Sequence, residues 1–309
     1  MKIVITGGAG YIGTTLIPLL LAEGHQVRVF DNLSYGGNPL IPFFRDKNFE
    51  FQRGDVRNLE EVKEAVKGQD VVIHLAAIVG YPACRKNPKL AEEVHVGGTQ
   101  NVIDATSKSQ LIFYASTSSN YGEVKEGVCT EETPLNPLSL YGETKTLGEK
   151  MLLDSRDTIA YRFATAFGVS PRMRLDLLVN DFAYKAYSEG YLVVYEKHFQ
   201  RAFIHVQDIA RGFLFGLENA DKMKKDVFNM GSKDANYNKE EICEILKGKL
   251  KLYVHYAEFG SDIDKRNYVI SYDKIDALGY RPTISLEEGI DELIDTFEVL
   301  DVRNQYTNI

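Results

Sequence analysis

Tyr141 and Lys145, in the segment Tyr-Gly-Glu-Thr-Lys, stand four residues apart and so share one face of any helix that carries them. An ammonium close to a phenol favours the phenolate and moves the tyrosine towards the range where it can take a proton from an alcohol. A surface Tyr/Lys pair has the same spacing, so the motif needs company. Thr117 provides it at the end of the strand-like run Gln-Leu-Ile-Phe-Tyr-Ala-Ser-Thr, where its hydroxyl can share a hydrogen bond with the substrate oxygen. The three side chains fit the polar half of a hydride-transfer site.

Such a site needs a hydride acceptor, and the amino-terminal segment suits one. Thr-Gly-Gly-Ala-Gly-Tyr-Ile-Gly follows the first apolar run and opens a helix, which places Gly7, Gly10 and Gly13 for a tight turn, close pyrophosphate approach and close helix–strand packing. Tyr11 and Ile12 lie at that helix's amino terminus, where backbone donors and the dipole favour an anion. The second run ends at Asp31, followed by Asn32; a carboxylate there can bond the 2′ and 3′ hydroxyls of an adenosine ribose and would repel a 2′-phosphate, so NAD is expected rather than NADP. Asp55 and Val56 after the third run are placed to meet the adenine, and Leu75, Ala76 and Ala77 after the fourth leave room for the dinucleotide. Asp55 could instead cap the helix of Leu-Glu-Glu-Val-Lys-Glu-Ala-Val, and the two alanines could simply pack.

The elements that must hold these residues are short β-branched runs alternating with helical stretches at 58–67, 88–108 and 140–154. Runs this apolar imply a parallel sheet covered on both faces, a doubly wound α/β fold of Rossmann type. Ile159–Gly168 reads as one further strand, and Pro18 predicts a kink in the first helix. The rhythm weakens after residue 168. The expected organisation is a dinucleotide-binding domain over 1–168, rejoined by 201–231, and a smaller, discontinuous carboxyl-terminal lobe over 169–200 and 232–309.

The chain has 309 residues, with 36 Lys and Arg against 44 Asp and Glu, a net charge of −8 that argues against nucleic acid or an anionic membrane as partner. Cys84, Cys129 and Cys243 form no close pair, which suggests neither a disulfide framework nor a metal site. A reducing, cytoplasmic setting is expected, with no signal segment or membrane span.

Taken in order, the glycine loop, Asp31, His-Leu-Ala-Ala, Ser-Thr-Ser-Ser-Asn-Tyr-Gly, the Tyr141 motif and Arg-Ala-Phe-Ile-His-Val-Gln-Asp-Ile-Ala resemble the extended short-chain dehydrogenase/reductases, in their NAD-dependent nucleotide-sugar epimerase/dehydratase branch. The resemblance implies oxidation at sugar carbon 4, with Tyr141 as base, Lys145 holding the nicotinamide ribose and Thr117 orienting the oxygen. It also implies diphosphate contacts from Asn180 and Arg201, an aromatic cover for the nucleobase from Tyr195, and closure of the nucleotide end by Arg266 and Tyr268. Three of them have a plainer alternative: a polar helix face at Asn180, a core aromatic at Tyr195, a surface ion pair at Arg266. Ser118 and Ser119 stand where dehydratases and decarboxylases of the branch carry acidic residues, which leaves epimerisation, oxidation or keto-sugar reduction. His95 and Thr165 replace asparagines of the branch, and His95 could be a satisfied core histidine. The segments around Tyr81 and around Arg172 and Arg174 further resemble GDP-heptose 4-dehydrogenases of bacterial capsule and lipopolysaccharide pathways, although both arginines could equally serve structural ion pairs. The leading expectation is a GDP-heptose or related sugar 4-dehydrogenase or 4-epimerase. The alternatives are a UDP-hexose 4-epimerase and a non-catalytic NAD-sensing regulator. The helices at 88–108 and 140–154 resemble those of a homodimer interface.

Overall fold

The computed structural model describes residues 1–122, 127–257, 269–302 and 307–308. Its centre is a parallel sheet of β1 (Lys2–Thr6), β2 (Gln26–Asp31), β3 (Phe49–Arg53), β4 (Val71–His74), β5 (Leu111–Thr117), β7 (Thr158–Phe163) and β11 (Asp226–Met230), in the order β11-β7-β5-β4-β1-β2-β3. A two-residue strand β6 (Val128–Cys129) pairs with β14 (Val269–Ile270) outside it. Parallel strands need crossovers, supplied by α1 (Tyr11–Ala22), α2 (Leu59–Val66), α3 (Tyr81–Lys86), α4 (Pro88–Glu92), α5 (Gly98–Ala105) and α6 (Leu140–Ser155). Both faces are covered. Ile3 and Ile5 turn to one side with Leu16, Ile17 and Phe213, and Val4 turns to the other with Val62, Val72, Ile112 and Leu152, following the two-residue period of a strand.

The smaller lobe has its own apolar cluster, including Val179, Leu192, Ile242, Leu246, Ile290 and Leu293. It joins α7 (Leu178–Glu189), a ribbon of β9 (Tyr191–Tyr195) with β13 (Tyr253–Ala257), and a sheet of β8 (Thr165–Phe167), β10 (Gln200–His205) and β12 (Asn236–Asn238). Between β10 and β11 the chain passes through α8 (Val206–Glu218), packed on α1, and α9 (Ala220–Met223). The lobe continues through α10 (Lys239–Lys249) and α12 (Leu286–Phe297), while α11 (Asp273–Asp276) between them packs back on β11, with Ile275 in the core of the large sheet.

Two local expectations are corrected. Residues 159–168 are two strands, because the Ala164 amide completes the bonding to the large sheet at Met230 O (2.8 Å) and Thr165 then pairs with Phe203 of β10. Helix α1 continues as one element across Pro18, which lies at an exposed position. The cap of α2 is Asn58, whose side chain accepts from the Glu60 and Glu61 amides, whereas Asp55 is held by Arg57.

Helix α6 is fixed from beneath. Glu149 continues the four-residue step of Tyr141 and Lys145, is 3% exposed, and pairs with Arg162 of β7 at 2.7 Å. Ser116 of β5 donates to the same carboxylate, while Arg162 donates to the Tyr121 hydroxyl (3.1 Å) and Tyr121 to Asn229 Oδ1 of β11 (2.6 Å). Removing one partner strands the other charge in a dry site, at a cost of about 3–5 kcal/mol; replacing both by apolar residues of similar volume costs much less. Urea denaturation should therefore show Glu149→Ala destabilised by about that amount, and the Glu149→Leu/Arg162→Met double variant destabilised by less than the sum of its singles.

Candidate active site

All seven strands of the large sheet end on one edge, and there a cavity of about 700 Å³ opens towards the smaller lobe. Open parallel sheets bind ligands at this edge. The site residues fall into three groups along it.

The first group is the glycine loop and its neighbours. Gly7 has φ +70°, and a Cβ there would stand 2.7 Å from the Ala76 backbone; a Cβ on Gly13 would stand 2.4 Å from Gly8 O, so α1 can approach the loop only without side chains at these positions. Gly7, Gly10, Tyr11, Ile12 and Gly13 all line the cavity, as do Asp31, Asn32, Asp55, Val56, Leu75, Ala76 and Ala77. Asp31 accepts from the amides of Ala9 (3.0 Å) and Leu33 (2.8 Å); burial raises its pKa, and these amides oppose the rise. Asn32 donates to Asp55 (3.0 Å), whose carboxyl the Arg57 hydrogen bonds hold well below the usual range. The Tyr11 side chain faces elsewhere, donating to Gly168 O at 2.7 Å, so its contribution to a dinucleotide is its backbone. A bare helix amino terminus beside a buried acid fits NAD.

The second group is the reacting end. Thr117 closes β5, and its Oγ1 accepts from the Ser119 amide (3.1 Å) in the turn Ser118–Tyr121. Thr117, Ser119, Tyr141, Lys145 and Thr165 line the cavity. Lys145 is 2% exposed with Nζ 3.9 Å from the centre of the Tyr114 ring; burial brings its pKa down to about 7, against the pull of Glu149 and Cys84. His95 has Nδ1 2.7 Å from Thr144 Oγ1, and Nε2 3.0 Å from both the amide nitrogen and the carbonyl oxygen of Ile78. Burial lowers its pKa to about 3, so the ring is neutral at pH 7 and packs edge-on against Tyr141 with centroids 5.8 Å apart.

The third group is the end nearer the smaller lobe, where expectation and structure part. Tyr195 lines the cavity and is exposed. Asn180 does not line it: its amide is buried between Gly168 N (3.0 Å) and Arg174 O (2.9 Å), tying α7 to the preceding loop. Arg201 is also buried and outside the cavity lining, with Nη1 on Gln200 O at 3.1 Å. Arg266 and Tyr268 lie outside the described residues. The cations that line this side are Arg174, which forks onto buried Asp176, and Lys239, which donates to Tyr195 O at 2.9 Å, whereas Arg172 lines the cavity beside Tyr35 of the turn after β2. Tyr81 and Tyr35 also line the cavity. No motif singles out Lys239 or Tyr35; the place of Tyr35 in the Asn-Leu-Ser-Tyr-Gly-Gly turn after Asp31 is the one available signal.

A dinucleotide cradle facing a Thr/Tyr/Lys cluster defines an NAD-dependent enzyme on a Rossmann-type fold. Residues 3–231 match the NAD dependent epimerase/dehydratase family, and the chain belongs to it. It is 29% identical over 310 residues to the low-salt glycan biosynthesis protein Agl12 of Haloferax volcanii, covering 96% of this chain and 98% of the relative. Among solved structures it resembles the dTDP-glucose 4,6-dehydratase DesIV of Streptomyces venezuelae, solved with NAD bound (TM-score 0.86, 26% identity, 97% of each chain). It likewise resembles the UDP-glucose 4-epimerase of Thermus thermophilus in complex with NAD (TM-score 0.83, 26% identity, 96% of this chain and 99% of that one).

The lowered pKa of Lys145 has a measurable consequence. Below about pH 7 the lysine is charged whether the chain is folded or unfolded, and the folded state carries the whole burial cost. Between about 7 and the ordinary 10.5 the unfolded chain holds the proton that the folded one has shed, so stability rises with pH. Urea denaturation of the NAD-free protein from pH 6 to 9 should show the wild type gaining on Lys145→Met above pH 7.

Proposed function

We propose that the protein is a nucleotide-sugar 4-epimerase acting through a transient 4-keto sugar. The observation that carries this is the chemistry around Thr117. The turn that follows it is Ser118–Tyr121, and among the described residues the carboxylates lining the cavity are Asp31, Asp55 and Asp176, each with partners of its own. Elimination or decarboxylation calls for a further acid/base group beside the sugar, whereas removal and return of one hydride needs only a base and an orienting hydroxyl.

In this mechanism Tyr141 takes the proton from the carbon-4 hydroxyl, Thr117 holds that oxygen, and Lys145 favours the phenolate by its charge. Bound NAD would supply the acceptor that takes the carbon-4 hydride and returns it to the opposite face once the keto sugar has turned in the cavity. The same tyrosine gives the proton back, so neither redox equivalents nor protons change overall. Tyr195 lines the nucleotide end, and Lys239 supplies positive charge there. The Thermus relative is named for UDP-glucose, which favours a UDP-hexose over the GDP-heptose expected from the Tyr81 and Arg172 segments. A homodimer through α5 and α6 belongs to this reading; Leu147 on α6 is 46% exposed, and sedimentation should give twice the chain mass. Membership of an enzyme family sets aside the NAD-sensing regulator.

Proton NMR of the NAD-loaded protein with UDP-glucose should show UDP-galactose accumulating with no net NADH. Tyr141→Phe should keep NAD affinity within about twofold and lose at least about 10²-fold in turnover, the lower end of the general acid/base contribution. Accumulation of a keto sugar with matching NADH would make the protein a dehydrogenase instead.

A further inference from the structure

Arg172 is a buried cation that forms no salt bridge among the described residues, although the charges of Asp176 and Asp31 act on it. It is 2% exposed, yet it lines the cavity. Nη1 donates to Met173 O (3.3 Å) and Nη2 to Asn308 Oδ1 (2.8 Å), while Nε has no hydrogen-bond partner. Its neighbour Arg174 shows the contrast, being neutralised by Asp176. A guanidinium withdrawn from water with an unused donor is costly unless an anion completes it.

Its surroundings indicate which anion. The Arg172 amide donates to Thr14 Oγ1 (3.3 Å) and Ser170 Oγ donates to Tyr11 O (2.7 Å), so the loop bearing Arg172 is stitched to the amino-terminal turns of α1. The guanidinium carbon lies 4.6 Å from the centre of the Tyr35 ring in the turn after β2, and the charge acts on Asp31. These residues belong to the dinucleotide half of the cavity. Gly10, Tyr11 and Ile12 at the start of α1 line the same cavity as Arg172, which is carried on the loop before α7.

We propose that Arg172 closes over the pyrophosphate of bound NAD as a second anchor opposite the α1 amides. The guanidinium fork matches phosphate oxygens, and an amide oxygen, that of Asn308, already occupies one of its donors. The role concerns cofactor retention and is independent of which sugar is turned over.

The test is calorimetric titration of NAD-free wild type, Arg172→Met and Arg172→Lys with NAD, ADP, adenosine and UDP. Arg172→Met should lose about tenfold in affinity for NAD and ADP, equivalent to about 1.4 kcal/mol, and keep wild-type affinity for adenosine and UDP. Arg172→Lys should lose less, again only for NAD and ADP. Unchanged NAD affinity in Arg172→Met would overturn the proposal, as would an adenosine loss as large as that for ADP. So would a loss confined to UDP, which would assign the guanidinium to the substrate diphosphate. If Arg172→Met does not fold, Arg172→Lys decides by the same comparison, and equal affinity to wild type for NAD and ADP rejects the clamp. Absence of UDP binding in every protein would count against the proposed function and leave this inference standing.

Discussion

The reacting end depends on one buried ion pair. Glu149 and Arg162 join the helix that carries Tyr141 and Lys145 to the sheet that carries Thr117, and Ser116, next to Thr117, donates to the same carboxylate. A four-residue step puts Tyr141, Lys145 and Glu149 in line along α6, so fixing the register of Glu149 against β7 fixes the depth at which the phenol and ammonium sit. Buried ion pairs add little net stability over an apolar contact, and the value of this one lies in setting a single register. The network then runs through Tyr121 to Asn229 at the far edge of the sheet.

The large sheet is legible in the sequence because strands buried on both faces leave nearly unbroken apolar runs, and β4 and β7 are buried at every residue. The glycine loop is legible because its backbone geometry admits few residue types, and Asp31 because an acid closing a buried strand calls for a hydrogen-bonding partner. Ile159–Gly168 reads as one strand because an apolar run does not say which sheet its amides join; Ala164 changes sheets without changing the pattern. Glu149 gives no signal, since a charged residue on a helix usually faces water, and only the fold brings Arg162 opposite it. Asn180 illustrates the reverse. A polar residue matched to a ligand role is consumed by backbone groups of its own loop, which sequence spacing cannot reveal.

The two ends of the cavity differ in how their charges are balanced. At the reacting end burial brings a lysine's pKa down towards pH 7 while leaving it able to carry charge, with a neutral histidine beside the tyrosine. At the cofactor end a carboxylate is kept by backbone amides, while a guanidinium from the other lobe keeps one donor unused. Burial raises the cost of every charge in both places, so each position tolerates few residue types.

The junction at Ala164 bears on how the molecule can deform. The last bond to one sheet and the first pairing with the next fall on adjacent residues, Ala164 and Thr165, and Tyr11 of α1 is bonded across to Gly168 four residues beyond Ala164. A connection this short offers few torsions to rotate about, which disfavours wide swinging of one lobe against the other. A spine this short favours small sliding of packed surfaces, the shear class of motion, over hinge opening.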